Sequence, residues 1–335
     1  MATLDVFNTD IFSTISLSGM VDKVDYKPEF LGSLGIFTPN PVRDRTVWVD
    51  SRSGGLELIQ TSADGSAPEE KALDSRTARS FKTQRLAKSK TIYASEIASW
   101  RAFGTESENS VVMTEYNRYM EKVRADIELT HELHRLGALQ GILLDADGST
   151  IFDYFSEFSE TNVAAVNFAL STATTNVRTK CHEVTRGMRR SAKGTGAFEV
   201  HAIVGDDFFD LLIEHANVKD AYLSWSAAAD LAQGKAFGSF RFGGITWHNY
   251  RGTDNNSDVA VGLKEAKFFP VGAANMFTHV QGPGEAIANV GAPGQNIYSM
   301  NIRDRDRDMW VKNEQYSYPL FMCQQPGVLR KATTP

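Results

Sequence analysis

The sequence predicts an α+β fold, and three features predict it. One uninterrupted helical pattern occupies residues 107–141. The strand-like segments do not alternate with helices, as the units of a parallel sheet would. Many of them also have no near neighbour in sequence to pair with.

The elements follow in order. Residues 1–45 show no period. They mix short apolar groups (Leu4, Val6, Phe7, Ile11, Phe12, Ile15, Leu17) with turn formers such as Gly19, Pro28, Gly32 and Gly35. Their apolar content is too high for a disordered tail, so this stretch reads as an extended arm that must find a surface elsewhere. TVWVDSRSGGLELIQ, residues 46–60, has strand patterning. Val47, Val49 and Ser51 face one way, and Thr46, Trp48 and Asp50 the other. Residues 61–80 are polar and turn-rich, and a second extended run starts at Phe81. Together they describe a projecting hairpin.

From Lys71 to Arg101 there are eight basic residues: Lys71, Arg76, Arg79, Lys82, Arg85, Lys88, Lys90 and Arg101. The acids of that span are Asp74 and Glu96, so its balance is 8 − 2 = +6 in a chain of net charge −6. A basic hairpin on an acidic protein is drawn to an acidic partner, and in a homo-oligomer that partner can be a neighbouring copy. A solvated face and a DNA-gripping patch are the alternatives.

In the helical stretch, Val112, Tyr116, Tyr119, Val123 and Ile127 form a stripe, continued on a slightly rotated face by Leu129, Leu133, Leu136 and Leu139. Thr105 with Glu108 suits a capping box, and Gly141 suits the far end. Beyond it, ILLDADGSTIFDYFSEFSE reads as strand, Asp-Gly turn, strand. Residues 161–190 are helical in part, weakened by threonines. FEVHAIVG is a buried strand near 195, followed by a helix that Asp207 and Asp210 cap, with Phe208, Leu211, Leu212 and His215 along one side. Residues 237–252 read as strand pairs with glycine turns, 266–272 as a buried strand, 282–294 as a loop, and 297–329 as mostly extended.

Little of the sequence points to catalysis, and no catalytic, cofactor or metal residues are assigned. His131-Glu132-Leu133-His134 places its histidines three apart, whereas a zinc-binding helix needs four. Solvated or interface histidines are the reading there. Cys181-His182-Glu183 are mere sequence neighbours. Asp145 and Asp147 hold only a fragment of a calcium loop. No phosphate loop or nucleophile elbow is present. Cys181 and Cys323 read as reduced, buried thiols. No secretory signal or membrane-length apolar run is visible. The acidic balance argues against a dedicated nucleic-acid binder.

The richest polar signal is Arg303-Asp304-Arg305-Asp306-Arg307-Asp308. In a strand, its arginines would line one face and its aspartates the other, matching complementary strips on partners. A solvated edge strand is the alternative.

In order along the chain, FGSFRFGGITWHNYRG at 237–252, FFPVGAANMFTHVQGPGE at 268–285 and NIYSMNIRDRDRDMWVKNEQYSYPLFMCQQPGVLRKA at 296–332 resemble the phage major capsid protein E family. VDSRSGGLELI at 49–59 and LLDADGSTIFDYF at 143–155 add to the likeness, which spans nearly the whole chain. This family is the lambda-like branch of the HK97-fold major capsid proteins. The resemblance implies an N-terminal arm (1–45), an extended E-loop (46–100), a peripheral domain with a spine helix (101–194), an axial domain (195–290) and a return to the peripheral domain (291–335). It implies pentamers and hexamers in an icosahedral virion capsid, assembled in the host cytoplasm and enclosing double-stranded DNA without sequence-specific binding. Scaffolding, portal and decoration proteins are the implied partners, with no membrane and no cofactor. Lysines are available at Lys71, Lys82, Lys88 and Lys90, but no carboxylate is visibly poised to crosslink them, so non-covalent reinforcement is expected. On these grounds, subunit contacts are expected at Arg76, Arg79, Lys82, Arg85, Lys88, Lys90 and at Arg303 through Asp308. A bacterial nanocompartment shell of the same fold is the nearest rival. A histidine-and-carboxylate hydrolase and a DNA-binding module are rivals of other classes.

Overall fold

A computed structural model describes residues 30–53, 75–96, 108–194, 196–223, 239–250, 259–274 and 276–335. Helices and sheets are mixed without βαβ alternation, as the α+β reading expects.

The longest element is helix α2, Glu108–Gln140; the shorter α1 is Phe30–Ser33. The 33 residues of α2 make a rod of roughly 50 Å. Gly141 ends it at φ +80°, where a Cβ would fall 2.3 Å from the Phe155 ring. Only glycine fits that exit. Thr105, half of the expected capping box, lies outside the described residues.

Three sheets pack around this rod. The first holds β1 (Thr38–Pro41), β12 (Phe277–Gln281) and β15 (Pro319–Cys323), in the order β1-β12-β15. The second holds β7 (Val166–Asn167), β16 (Arg330–Thr333), β11 (Glu265–Val271), β8 (Glu199–Val204), β10 (Ile245–Asn249) and β9 (Ser239–Phe242), in that order. The third is β13 (Tyr298–Arg303), β14 (Trp310–Ser317) and β4 (Leu86–Tyr93). Two ribbons complete the set: β2 (Thr46–Ser53) with β3 (Ser75–Lys82), and β5 (Ile142–Leu144) with β6 (Thr150–Asp153). In the six-stranded sheet, Val200, Ala202, Val204, Ile245, Trp247, Ala266 and Phe268 are all buried. They meet Phe168 and Phe208, whose rings lie 6.0 Å from that of Trp247, and α4 (Val177–Ser191) with α5 (Asp206–Glu214). A short α6, Ala216–Leu223, follows α5.

Several sequence expectations are corrected. Residues 30–45 of the expected arm lie on this chain's own body: Leu31 is buried, β1 pairs in parallel with β12, and the Phe37 ring sits 5.3 Å from both Phe277 and Phe321. The return strand of the hairpin starts at Ser75, inside the stretch read as polar tip. The run after Phe81 then changes sheet, because β4 pairs with β14. Tyr154–Glu157 is a helical turn (α3), not strand, because the Asp153 carboxylate caps it by accepting from the Phe155 and Ser156 amides. Of residues 161–190, the helix covers only the part from Val177, where Asn176 caps it. Gly205, not Asp207, is the N-cap of α5.

The histidines of α2 are not solvated. His131 and His134 are both buried, as are Glu128, Glu132 and Arg135. Leu129, expected on the apolar stripe, is 39% exposed. The inward line of the helix therefore passes through charged and imidazole groups where it crosses the β12–β15 sheet. His131 meets the Phe321 ring at 5.6 Å and shares a 2.9 Å hydrogen bond with the Ser317 hydroxyl.

Candidate subunit interface

The β2–β3 ribbon presents one face to the core and one to solvent. Phe81 roots it: this buried ring lies 5.5 Å from Phe152 and 5.6 Å from Phe158. Val47 and Val49 turn toward that core, so strand alternation sends Trp48 outward, where it is 67% exposed. No third strand pairs with the ribbon among the described residues.

The basic residues expected to seek an acidic neighbour mostly have partners in their own chain. Arg79 lies over the Phe158 ring at 5.6 Å and donates to the Ser159 hydroxyl. Arg85 donates to Glu285 at 2.8 Å and stacks over Tyr316. Lys88 pairs with Asp126 at 2.5 Å, and Lys90 sits over the Tyr119 ring at 5.1 Å. Lys82 is exposed. Arg76 stands opposite Arg52 in the ribbon. Lys71 and Arg101 lie outside the described residues. Glu285 also holds Arg45 at 3.5 Å, and its hydrogen bond from Arg85 holds its carboxyl below the usual range.

Residues 303–308 do not form a two-faced strand. β13 ends at Arg303, and the chain turns. One Asp304 oxygen accepts from the Asp306 and Arg307 amides and the other from Met309, closing the loop around its own carboxylate. Arg303 and Asp308, predicted on opposite faces, pair with each other. Asp308 adopts φ +55° to make this possible. Arg305, Asp306 and Arg307 remain exposed at the hairpin tip.

Sequence reasoning missed Glu285, Asp126 and Tyr119 as the partners of the basic segment, because each lies far along the chain. It also passed over Ile287 and Val290, which are 93% and 78% exposed. Their signal was a loop with no charge between Glu285 and Arg303.

As for chemistry, the thiols of Cys181 and Cys323 are buried, and burial pushes each up to about 12. His201 and His248 share a 3.0 Å contact between ring nitrogens. Among the described residues, no group of three or more His, Cys, Asp or Glu converges to hold a metal. A cavity of about 100 Å³ lies between Leu139, Ile142, Phe155 and Val163, with Lys267 and Lys331 at its border. No described helix is long and apolar enough to cross a membrane.

Comparison with known proteins identifies the family. The model of the family described as phage major capsid protein E matches residues 13–334. The chain belongs to the phage major capsid protein E family. The major capsid protein of Salmonella phage Felix O1 is 25% identical over 352 aligned positions, covering 95% of each chain. That of Pseudomonas phage KPP10 is 25% identical, covering 85% of this chain and 86% of the relative. Among solved structures, a putative capsid protein of an E. coli CFT073 prophage superposes with a TM-score of 0.57 at 11% identity, covering 96% of this chain and 99% of that one. The capsid of cyanophage P-SCSP1u gives 0.55 at 9% identity, covering 90% and 86%. The fold is therefore HK97-type, and this major capsid protein family builds the shell of the phage virion.

Proposed function

We propose that this chain assembles as pentamers and hexamers that close into an icosahedral shell around the double-stranded DNA of a tailed phage, with no catalytic step of its own. The observation that carries this reading is the family match over residues 13–334. The exposed Trp48 on a ribbon that pairs with no third strand among the described residues supports it, since its open edges and outward face suit a covering neighbour. The net charge of −6 suits a container that does not grip phosphates.

In this reading, residues 46–100 are the E-loop, 101–194 and 291–335 the peripheral domain, and 195–290 the axial domain, with 1–45 as the arm. The basic residues Arg76 and Lys82 and the tip residues Arg305, Asp306 and Arg307 contact neighbouring copies. Arg79, Arg85, Lys88, Lys90, Arg303, Asp304 and Asp308 hold those contact elements in place from within the subunit. Scaffolding, portal and decoration proteins are its partners.

Sedimentation of the full-length chain, co-expressed with scaffolding protein, tests the proposal. A fast-sedimenting closed particle is the expected product. A chain that stays monomeric or dimeric with scaffold present would overturn it.

A further inference from the structure

The loop between β12 and β13 presents two aliphatic side chains to water from a frame that holds them there. Residues Ile287–Asn289 form one turn of 3-10 helix at its tip. Amide hydrogen bonds from Asn289 to Ala286, Val290 to Ile287 and Ala292 to Asn289 fix that turn. At the root, the Gly282 amide donates to Tyr318 and the Gly294 amide to Val42, both at 2.9 Å. The Gln295 amide donates to the Tyr298 hydroxyl at 2.8 Å. The loop is tied at both ends, and Ile287 and Val290 remain almost wholly in water.

The tip also lacks charge. Residues 286–302 contain no Asp, Glu, Lys, Arg or His. The nearest charge along the chain, Glu285, pairs with Arg85 and Arg45 of the same chain. The knob is thus aliphatic, and the nearest charge along the chain is held in an ion pair.

We propose that this tip is a self-contact, in which Ile287 and Val290 of one copy meet the same residues of a second copy around a symmetry axis of the shell. The inference rests on the shell reading above. Closed symmetry brings identical patches together. A charged patch meeting its own copy repels itself, whereas an uncharged aliphatic one does not. Two other exposed apolar side chains lack this property: Met309 adjoins the Arg305–Asp308 tip, and Trp48 shares its ribbon with Arg79 and Lys82. The competing arrangement is a knob in the cavity beside Val163, which Lys267 and Lys331 border.

The test uses the full-length chain carrying Ile287→Cys. Cys181 and Cys323 are buried, so the introduced thiol is the accessible one. Shells are assembled, oxidised mildly and run on a non-reducing gel. Disulfide-linked dimers are expected from shells and not from unassembled subunits, because the bond needs Cβ atoms about 4 Å apart. In parallel, a double variant carrying Ile287→Asp and Val290→Asp keeps the unaltered thermal midpoint, since these side chains bury almost nothing within the subunit. Its particle yield falls by about tenfold or more, from like-charge repulsion at the axis. Shells of Ile287→Cys that stay uncrosslinked, or the double variant assembling at full yield, would overturn the proposal. Crosslinking that appears only when Val163→Cys is added would place the tip in the cavity and overturn it too. If the unaltered chain forms no shell, the shell reading itself fails, which is a separate result.

Discussion

The Glu132 carboxylate of helix α2 accepts the backbone N–H of Leu31 at 2.9 Å, across 101 residues of chain. Its other oxygen accepts from Arg135 at 3.1 Å, and the Tyr250 hydroxyl donates to the first oxygen at 3.4 Å. One buried carboxylate therefore joins the start of the described chain, the long helix and the end of β10. Glu132→Ala should cost about 3 kcal/mol or more, because it strips a buried amide of its acceptor and weakens a buried ion pair. Glu132→Gln should cost less. Chemical denaturation measures both, and an unchanged midpoint for the alanine variant would contradict the clamp.

Acid should loosen the contact between the helix and the β12–β15 sheet. Burial lowers His134 to about 4 and also pulls His131 and His279 below the ordinary histidine range. Glu128 partly offsets this for His131 and Asp145 for His134, while Arg135 reinforces it for His131 and His279. In the unfolded chain these groups titrate near 6.5. Between about pH 6.5 and 4 the unfolded chain therefore binds more protons, and stability that is complete above this window is lost as pH falls through it. Each group contributes up to about 1.4 kcal/mol per pH unit. Among the described residues, neither ring nitrogen of His134 has a hydrogen-bond partner. His134→Leu should accordingly flatten the slope of urea stability between pH 6.5 and 5. A slope identical to that of the unaltered chain would contradict this.

The turn between β9 and β10 separates two glycine effects. Gly243 and Gly244 both have positive φ, at +63° and +79°. A Cβ on Gly243 would lie 2.6 Å from the Cys181 Cβ, whereas one on Gly244 meets nothing within 4 Å. Gly244→Ala should cost about 1–2 kcal/mol from backbone strain alone. Gly243→Ala should cost clearly more, since Cys181 sits on a packed helix. Thermal melts of the two variants read the difference, and equal losses would contradict the close approach.

The 304–308 turn should depend on Asp304. Desolvation pushes its carboxyl up, but the three backbone amides it accepts together outweigh this and hold it below the usual carboxylate range. Asp304→Ala should speed hydrogen exchange at Asp306, Arg307 and Met309 while leaving the amides of β14 protected. Unchanged exchange at those three positions would show that the loop holds its shape by other means.

The features that were legible in the sequence were local ones. The Gly243-Gly244 turn, the exit at Gly141 and the inward Val47 and Val49 follow from short spacings and backbone preference. Arg303 to Asp308 misled because alternation assigns faces only if the chain is extended, and the Asp304 side chain competes for the same amides. His131 and His134 misled because the stripe was read from apolar letters, whereas this helix buries Glu128, Glu132 and Arg135 among them. Asp153 overrode the β preference of the residues after it by capping a turn. The place of residues 30–45 could not be read locally, since β1 pairs with a strand about 240 positions later. The intrachain partners of Arg85 and Lys88 were hidden for the same reason.

Electron microscopy of the full-length chain, expressed with scaffolding protein and purified at its largest size, tests the central claim most directly. The account predicts uniform closed shells with icosahedral symmetry, whose subunits show α2 lying across the β12–β15 sheet and the β2–β3 ribbon covered by a neighbouring copy. Fields of monomers or small dimers under every condition would contradict it.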